Sequence, residues 1–183
     1  MLTLRGGSGG AAHEGANERV GRRGVTQVQG DSPSQSGDWR DNLVTTRHGI
    51  DQLVRECRRI AVLGIKTEAQ SGQPAFYVAA YMARAGYDVV PVPVYYPEVT
   101  TILGRPVYRR VADVPGAVDM VDVFRRSADI PPHLPDLLAA RPRAVWFQLG
   151  IINDEAAETL CRAGIQVVQD RCLLVEHQRL GRS

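Results

Sequence analysis

Arg59-Ile60-Ala61-Val62-Leu63-Gly64-Ile65-Lys66 opens the stretch that decides the fold, and Tyr87-Asp88-Val89-Val90-Pro91-Val92 closes it. Both are continuous apolar runs rather than alternating ones, the pattern of strands covered on both faces in a parallel sheet. Between them Pro74 introduces Phe76-Tyr77-Val78-Ala79-Ala80-Tyr81-Met82-Ala83, and Gly86 follows. Proline suits a first helical turn, where its missing N–H costs nothing, and glycine suits the position just past a helix end. Strand, loop, helix and strand over residues 59–94 predict a right-handed βαβ unit that opens a nucleotide-binding sheet.

The alternation continues outward from this unit. Val118 to Phe124, Ala144 to Leu149 and Ile165 to Gln169 predict a third, fourth and fifth strand, with helices over residues 130–140 and 154–163. Upstream, Ile50, Leu53, Val54 and Cys57 fall at i, i+3, i+4 and i+7, one apolar face of a lead-in helix. Arg55, Arg58 and Arg59 sit toward its end, where cations suit the helix dipole. Residues 93–108 are too rich in proline for a central strand and read as a loop with a turn at Gly104-Arg105-Pro106. Val111 to Pro115 reads as a connection, and a short C-terminal segment follows Cys172. The expected fold is α/β: a Rossmann-like three-layer domain over residues 46–183. Its sheet is mainly parallel and five-stranded, in the order 3-2-1-4-5.

Residues 1–39 hold half of the chain's 18 glycines, set among Ser, Gln, Asn and Arg. Such a stretch buries too little apolar surface to offset its ordering entropy, so a disordered tail is expected. Its Arg19, Arg22 and Arg23 offer a contact for an acidic protein partner. A net charge of +2 over 183 residues gives no reason to expect nucleic acid or a membrane surface as partner. No apolar run approaches the ~18 residues of a membrane span, and the N-terminus lacks the apolar core of a secretory signal. Cys57, Cys161 and Cys172 are an odd, unpatterned set, which predicts reduced thiols and a cytoplasmic protein.

In an open parallel sheet a ligand sits beyond the carboxyl ends of the strands, which nominates the loops after them. A nicotinamide dinucleotide needs G-x-G-x-x-G and an acid after the second strand. Here Lys66 replaces the second glycine, and Pro91-Val92-Pro93 stands where the acid belongs. Lys66, Ser71, Gly72 and Gln73 ahead of the Pro74 helix can instead hold an anion against free backbone N–H groups. The alternative is a plain strand–helix loop. No catalytic constellation stands out. Asp119 and Asp122 lack companions, and His13, His48 and His133 are not spaced for metal, so no metal is expected. Asn153 reads as the cap of the helix that follows it. Cys172 reads as a buried, inert thiol, since a nucleophile needs a lowered pKa and a base and only His177 is near in sequence.

Four further blocks carry a resemblance: Leu103-Gly104-Arg105-Pro106-Val107-Tyr108, Val118 to Arg125, Trp146-Phe147-Gln148-Leu149-Gly150-Ile151-Ile152-Asn153, and Asp170-Arg171-Cys172. Together they resemble the CoA-binding domain family, more narrowly its small single-domain bacterial members (YccU-like). These are similar in fold to the N-terminal domain of the succinyl-CoA synthetase alpha subunit. The resemblance implies a Rossmann-like domain binding coenzyme A or an acyl-CoA, without established catalysis. Carried over, Gly64, Ile65 and Lys66, with Gly72, Gln73, Pro74 and Ala75 at the helix start, would face the CoA phosphates. Pro91, Val92, Val123, Phe124, Arg125 and Gly150 would flank the adenine nucleotide and pantetheine. The chain departs from the family where Lys66 and Ala75 replace serines, and where Pro93-Val94-Tyr95-Tyr96-Pro97 replaces an Asn-Pro. A lysine there exchanges hydroxyl hydrogen bonds for charge, which suits a polyanion. Two function classes follow. One is a non-catalytic CoA protein acting as carrier, sensor or regulator. The other is an enzyme working on a CoA thioester or nucleotide through Cys172 or Lys66.

Overall fold

A computed structural model describes residues 38–181. Apart from Asp38 and Trp39, the tail expected over residues 1–39 lies outside the described residues, as do its three arginines. Helix α1 (Arg47–Glu56) is capped by the Thr46 hydroxyl, which accepts the Gly49 N–H, and buries Ile50, Leu53 and Val54. It leads into β1 (Arg59–Leu63), α2 (Pro74–Arg84) and β2 (Asp88–Val92), the expected βαβ unit. A small antiparallel hairpin follows, β3 (Thr101–Ile102) with β4 (Arg105–Pro106). Then come β5 (Met120–Val123), α3 (Leu134–Ala140), β6 (Ala144–Phe147), α4 (Asp154–Arg162), β7 (Gln166–Val168) and α5 (Leu173–Leu180).

The main sheet is parallel throughout, as the unbroken apolar runs require, and α5 closes the domain. One face carries Leu63, Val121, Val123, Val145 and Phe147 with the residues of α4. The other carries Ile60, Val62, Met120 and Trp146 with those of α1, α2 and Leu173 of α5.

The strand order corrects the expectation. It runs β2-β1-β5-β6-β7, so the third predicted strand lies between the first and fourth instead of outside the second. The five predicted strands therefore stand in the order 2-1-3-4-5. Pro91 supplies a physical reason. A proline cannot donate to a ladder and is confined to sheet edges. The Val92 carbonyl turns inward to accept the Gly64 N–H at 2.9 Å, whereas the Pro91 carbonyl turns outward and accepts the Tyr108 N–H at 3.0 Å. The missing donor of Pro91 is therefore on the outer edge, which the hairpin segment covers. Asp119 fixes the other side of β1: its carboxylate accepts the N–H groups of Arg58 and Arg59, both at 2.8 Å.

The hairpin itself replaces the expected loop, turning at Leu103 and Gly104 with φ of 53° and 69°. It is tied to the sheet by Asp88, which pairs with Arg59 at 3.0 Å and Arg105 at 3.2 Å. At the far edge Leu43 bridges Val167, and Trp39–Asn42 forms a 3-10 turn whose Asn42 side chain donates to the Cys161 carbonyl. Both sheet edges are thus covered, which removes the exposed pairing groups that invite aggregation. Helix α5 was not legible as an apolar stripe because a glutamate occupies its buried face. Glu176 is buried and pairs with Arg47 at 2.8 Å and Arg179 at 3.2 Å.

Candidate functional site

The order 2-1-3-4-5 moves the topological switch point. The chain leaves β1 toward β2 on one side and returns as β5 on the other, which opens a crevice beyond their carboxyl ends. Gly64 sits there with φ of 90°. A β-carbon on it would lie 2.6 Å from the Phe124 carbonyl oxygen and 3.1 Å from Arg125 Cδ. No L side chain fits that approach, so glycine is required where the two strands diverge. The chain then runs through a 3-10 turn at Glu68–Gln70, held by the Leu103 N–H donating to Glu68 Oε1 at 2.8 Å, and enters α2 with Pro74 leading. Gln73 caps that helix without a side-chain bond. The backbone N–H groups expected to be free are mostly taken: those of Lys66, Ser71 and Gln73 donate to the carbonyls of Ala75, Glu68 and Gln70 as the loop folds into turns. That leaves the helix dipole as the anion-facing element.

A cleft of about 480 Å³ occupies the crevice. Lys66, Arg125 and Arg126 line it. Lys66 Nζ stands 5.1 Å from the Tyr95 ring and 5.6 Å from the Tyr96 ring, and Arg125 Cζ 5.3 Å from Tyr95. Tyr96 reaches this position in the left-handed region, φ 66°, a backbone cost that concentrates at ligand sites. Arg125 beside the Tyr95 phenol pulls it below its ordinary range. Asp129 answers the arginines, accepting from Arg126 Nε at 2.7 Å and Arg125 Nη2 at 3.4 Å, and the Arg126 bond lowers its carboxyl. Arg125 Nε is buried and has no partner among the described residues.

The floor comes from β5, β6 and the start of α5. Gln148 donates through Nε2 to Asp122 Oδ1 at 2.8 Å, and Asp122 is wholly buried. Burial pushes the Asp122 carboxyl up to about 7, with the Gln148 bond opposing. Cys172 is not the buried thiol expected: standing just ahead of α5, it lines the cleft and is partly exposed. The histidine near it in sequence does not serve it as a base: His177 Nδ1 lies 2.9 Å from the Tyr81 hydroxyl, and the ring packs edge-on to Tyr81 and Tyr87. Cys57 and Cys161 are buried, and burial pushes both thiols up to about 11. Gly150 donates its N–H to Asp170 Oδ1 at 2.7 Å, so Asp170 fixes the loop after β6. Asn153 caps α4, Oδ1 accepting the Ala156 N–H at 2.9 Å, while Nδ2 donates to the Ser127 carbonyl. Among the described residues no His, Cys, Asp and Glu side chains gather as metal ligands do.

Of the residues nominated from sequence, Lys66, Gln73, Pro74, Ala75, Phe124, Arg125 and Gly150 line the cleft. Gly64, Ile65 and Val123 are buried and do not line the cleft. Gly72 stands in the exposed turn with open space around it. Pro91 and Val92 are not brought to the cleft. They are buried in the edge strand with their carbonyls taken, and Pro91 borders a separate hollow with Arg59, Asp88 and Tyr108. Tyr77 and Val78 line the cleft without having been nominated. Their signal was available: they fall three and four residues after Pro74, on one face of the first helical turns.

A family model described as a CoA binding domain matches residues 58–178. The protein YneT of Bacillus subtilis, itself uncharacterised, is 30% identical over 128 residues, covering 70% of this chain and 91% of the relative. A solved structure from Thermus thermophilus is 38% identical with a TM-score of 0.68, covering 74% of this chain and 99% of that one. The dinucleotide-forming acetyl-coenzyme A synthetase of Ca. Korarchaeum cryptofilum shares the fold at 18% identity and a TM-score of 0.50. That match covers 64% of this chain and 27% of the synthetase. No helix among the described residues is long and apolar enough to cross a membrane.

Proposed function

The chain belongs to the CoA-binding domain family, and from that premise we propose that its switch-point cleft binds coenzyme A or an acyl-CoA without turning it over. One observation carries the reading: three cations and an uncapped helix N-terminus converge on a single cleft at the switch point. Phosphates bind where a helix dipole and cationic side chains meet. Lys66 has no acidic partner among the described residues, so its charge is unspent. Tyr95 and Tyr96 flank that charge with π faces suited to an adenine ring. A protein with this site serves as a carrier, sensor or regulator of the CoA pool.

Thioester chemistry through Cys172 or Lys66 is the competing reading. Cys172 has the access that role needs and lacks the base, because His177 is engaged by Tyr81.

Calorimetric titration with CoA, NAD, NADP and ATP under reducing conditions tests the proposal. Saturable binding of CoA alone is expected, weakened about tenfold by Lys66→Ala and weakened further by added salt. Equal binding of ATP or NAD, or no CoA binding, would overturn it.

A further inference from the structure

The fold leaves two oxygen atoms unused, one on Gln148, which lines the cleft, and one on Asp122, which is buried behind it. Asp122 Oδ2 is buried with no partner among the described residues, while Oδ1 accepts from Gln148. Gln148 is 4% exposed and lines the cleft, and no described group bonds its Oε1. A carboxamide set between a carboxylate and a cleft has one good orientation. Its NH₂ faces the acid, because the reverse would press the amide oxygen against a carboxylate oxygen, two acceptors together. The cleft therefore presents an acceptor on its floor. Lys66 and Arg125, from the loops after β1 and β5, line the same cleft, as do Leu149 and Ile151, after β6.

We propose that Gln148 Oε1 accepts a secondary-amide N–H of the ligand, and that Asp122 is the positioning residue that keeps this oxygen turned into the cleft. The ligand half rests on the CoA reading. With the phosphates held at the cationic end, the arm of CoA carries its amides past Gln148 toward Cys172. Specificity then comes from an oriented buried group as well as from charge. A buried acceptor left unpaired is costly, so a ligand lacking the amide forfeits that contact.

Protonation of Asp122 undoes the aim. A neutral carboxyl carrying its proton on Oδ1, the oxygen that faces Gln148, donates to Gln148 Oε1, the carboxamide turns over, and NH₂ replaces the acceptor in the cleft. Burial supports this, since it raises the Asp122 carboxyl to about 7. The elements around Asp122 carry few other charges. Helix α1 buries Ile50, Leu53 and Val54 here, and α2 buries Ala75, Val78, Ala79 and Met82 and carries Tyr77 and Tyr81. Lys66, Arg125 and Arg126 line the cleft above, as does Cys172. On α5, Glu176 is engaged by Arg47 and His177 by Tyr81. None of them bonds Asp122.

The test pairs two readouts on the full chain. Nuclear magnetic resonance follows the Gln148 side-chain NH₂ of the ligand-free protein from about pH 5 to about pH 9. Calorimetry compares CoA with phosphoadenosine diphosphate, the CoA nucleotide without its amide arm. The NH₂ resonances should move in one step near neutral pH, and Asp122→Asn should abolish that step. Gln148→Leu should weaken CoA roughly tenfold, the loss of about one buried hydrogen bond, with the nucleotide unaffected. Should Gln148→Leu fail to fold, Gln148→Met, unbranched and without a polar amide, decides in its place. Resonances indifferent to pH, unchanged CoA affinity, or equal losses for CoA and nucleotide would overturn the proposal. If neither ligand binds the wild-type protein, the CoA reading falls with the ligand half, and the resonances still decide the orientation.

Discussion

Replacing Asp122 with asparagine should flatten the pH dependence of this protein's stability, raising the variant relative to the wild type as pH rises. The carboxyl is wholly buried, bonded only by Gln148 among the described residues, and held at about 7 against an ordinary value of 3.8. Below about pH 4 the folded and unfolded chains both carry the proton, so Asp122 contributes no pH dependence. Between about 4 and 7 the folded state keeps a proton that the unfolded state has lost, and stability falls as pH rises. Above 7 the full cost of burying the charge is present. At ~1.4 kcal/mol per pH unit, the interval from 3.8 to about 7 amounts to roughly 4 kcal/mol, of which roughly 3 accrues above pH 5. The asparagine side chain has the same shape and no charge to bury. Urea denaturation should therefore show wild-type stability falling by about 3 kcal/mol more than the variant's between about pH 5 and about pH 8. Parallel curves for the two proteins would refute the reasoning, because the acid would then be titrating at its ordinary value.

Gly64→Ala should cost about 2–4 kcal/mol in a thermal or urea melt, since it combines a positive φ with a β-carbon 2.6 Å from the Phe124 carbonyl. A cost below about 0.5 kcal/mol would show that the β1 and β5 ends yield readily. Asp119→Ala should lose about 2 kcal/mol by leaving the Arg58 and Arg59 N–H groups without their acceptor, while CoA affinity is retained. Equal losses of stability and affinity would contradict that separation of roles. Cys172→Ala should bind CoA as the wild type does, and acyl-CoA incubated with either protein should be recovered intact by chromatography. Hydrolysis or acyl transfer by the wild type that vanishes in the variant would establish the enzymatic reading instead.

The sequence by itself determined the elements and their kind. Unbroken apolar runs at Arg59–Leu63 and Asp88–Val92, Pro74 and Gly86 around a helix, and Ile50, Leu53 and Val54 on one helical face are local signals. They depend on residues within a turn or two of each other. The same local signals nominated the loops after the strands, and Lys66, Pro74 and Arg125 from those loops line one cleft, because strand ends and helix starts are readable along the chain. Tertiary structure alone decided which strand stands beside which. Pro91 marks β2 as an edge, but that β5 returns on the far side of β1 depends on Asp119 reaching the Arg58 and Arg59 N–H groups across about 60 residues of chain. The pairing of Asp122 with Gln148, 26 residues apart, likewise exists only because β5 and β6 lie side by side with Asp122 opposite Trp146. Register and crossover are long-range choices that no periodicity encodes, and they turn an ordinary aspartate into the buried acid beneath the cleft.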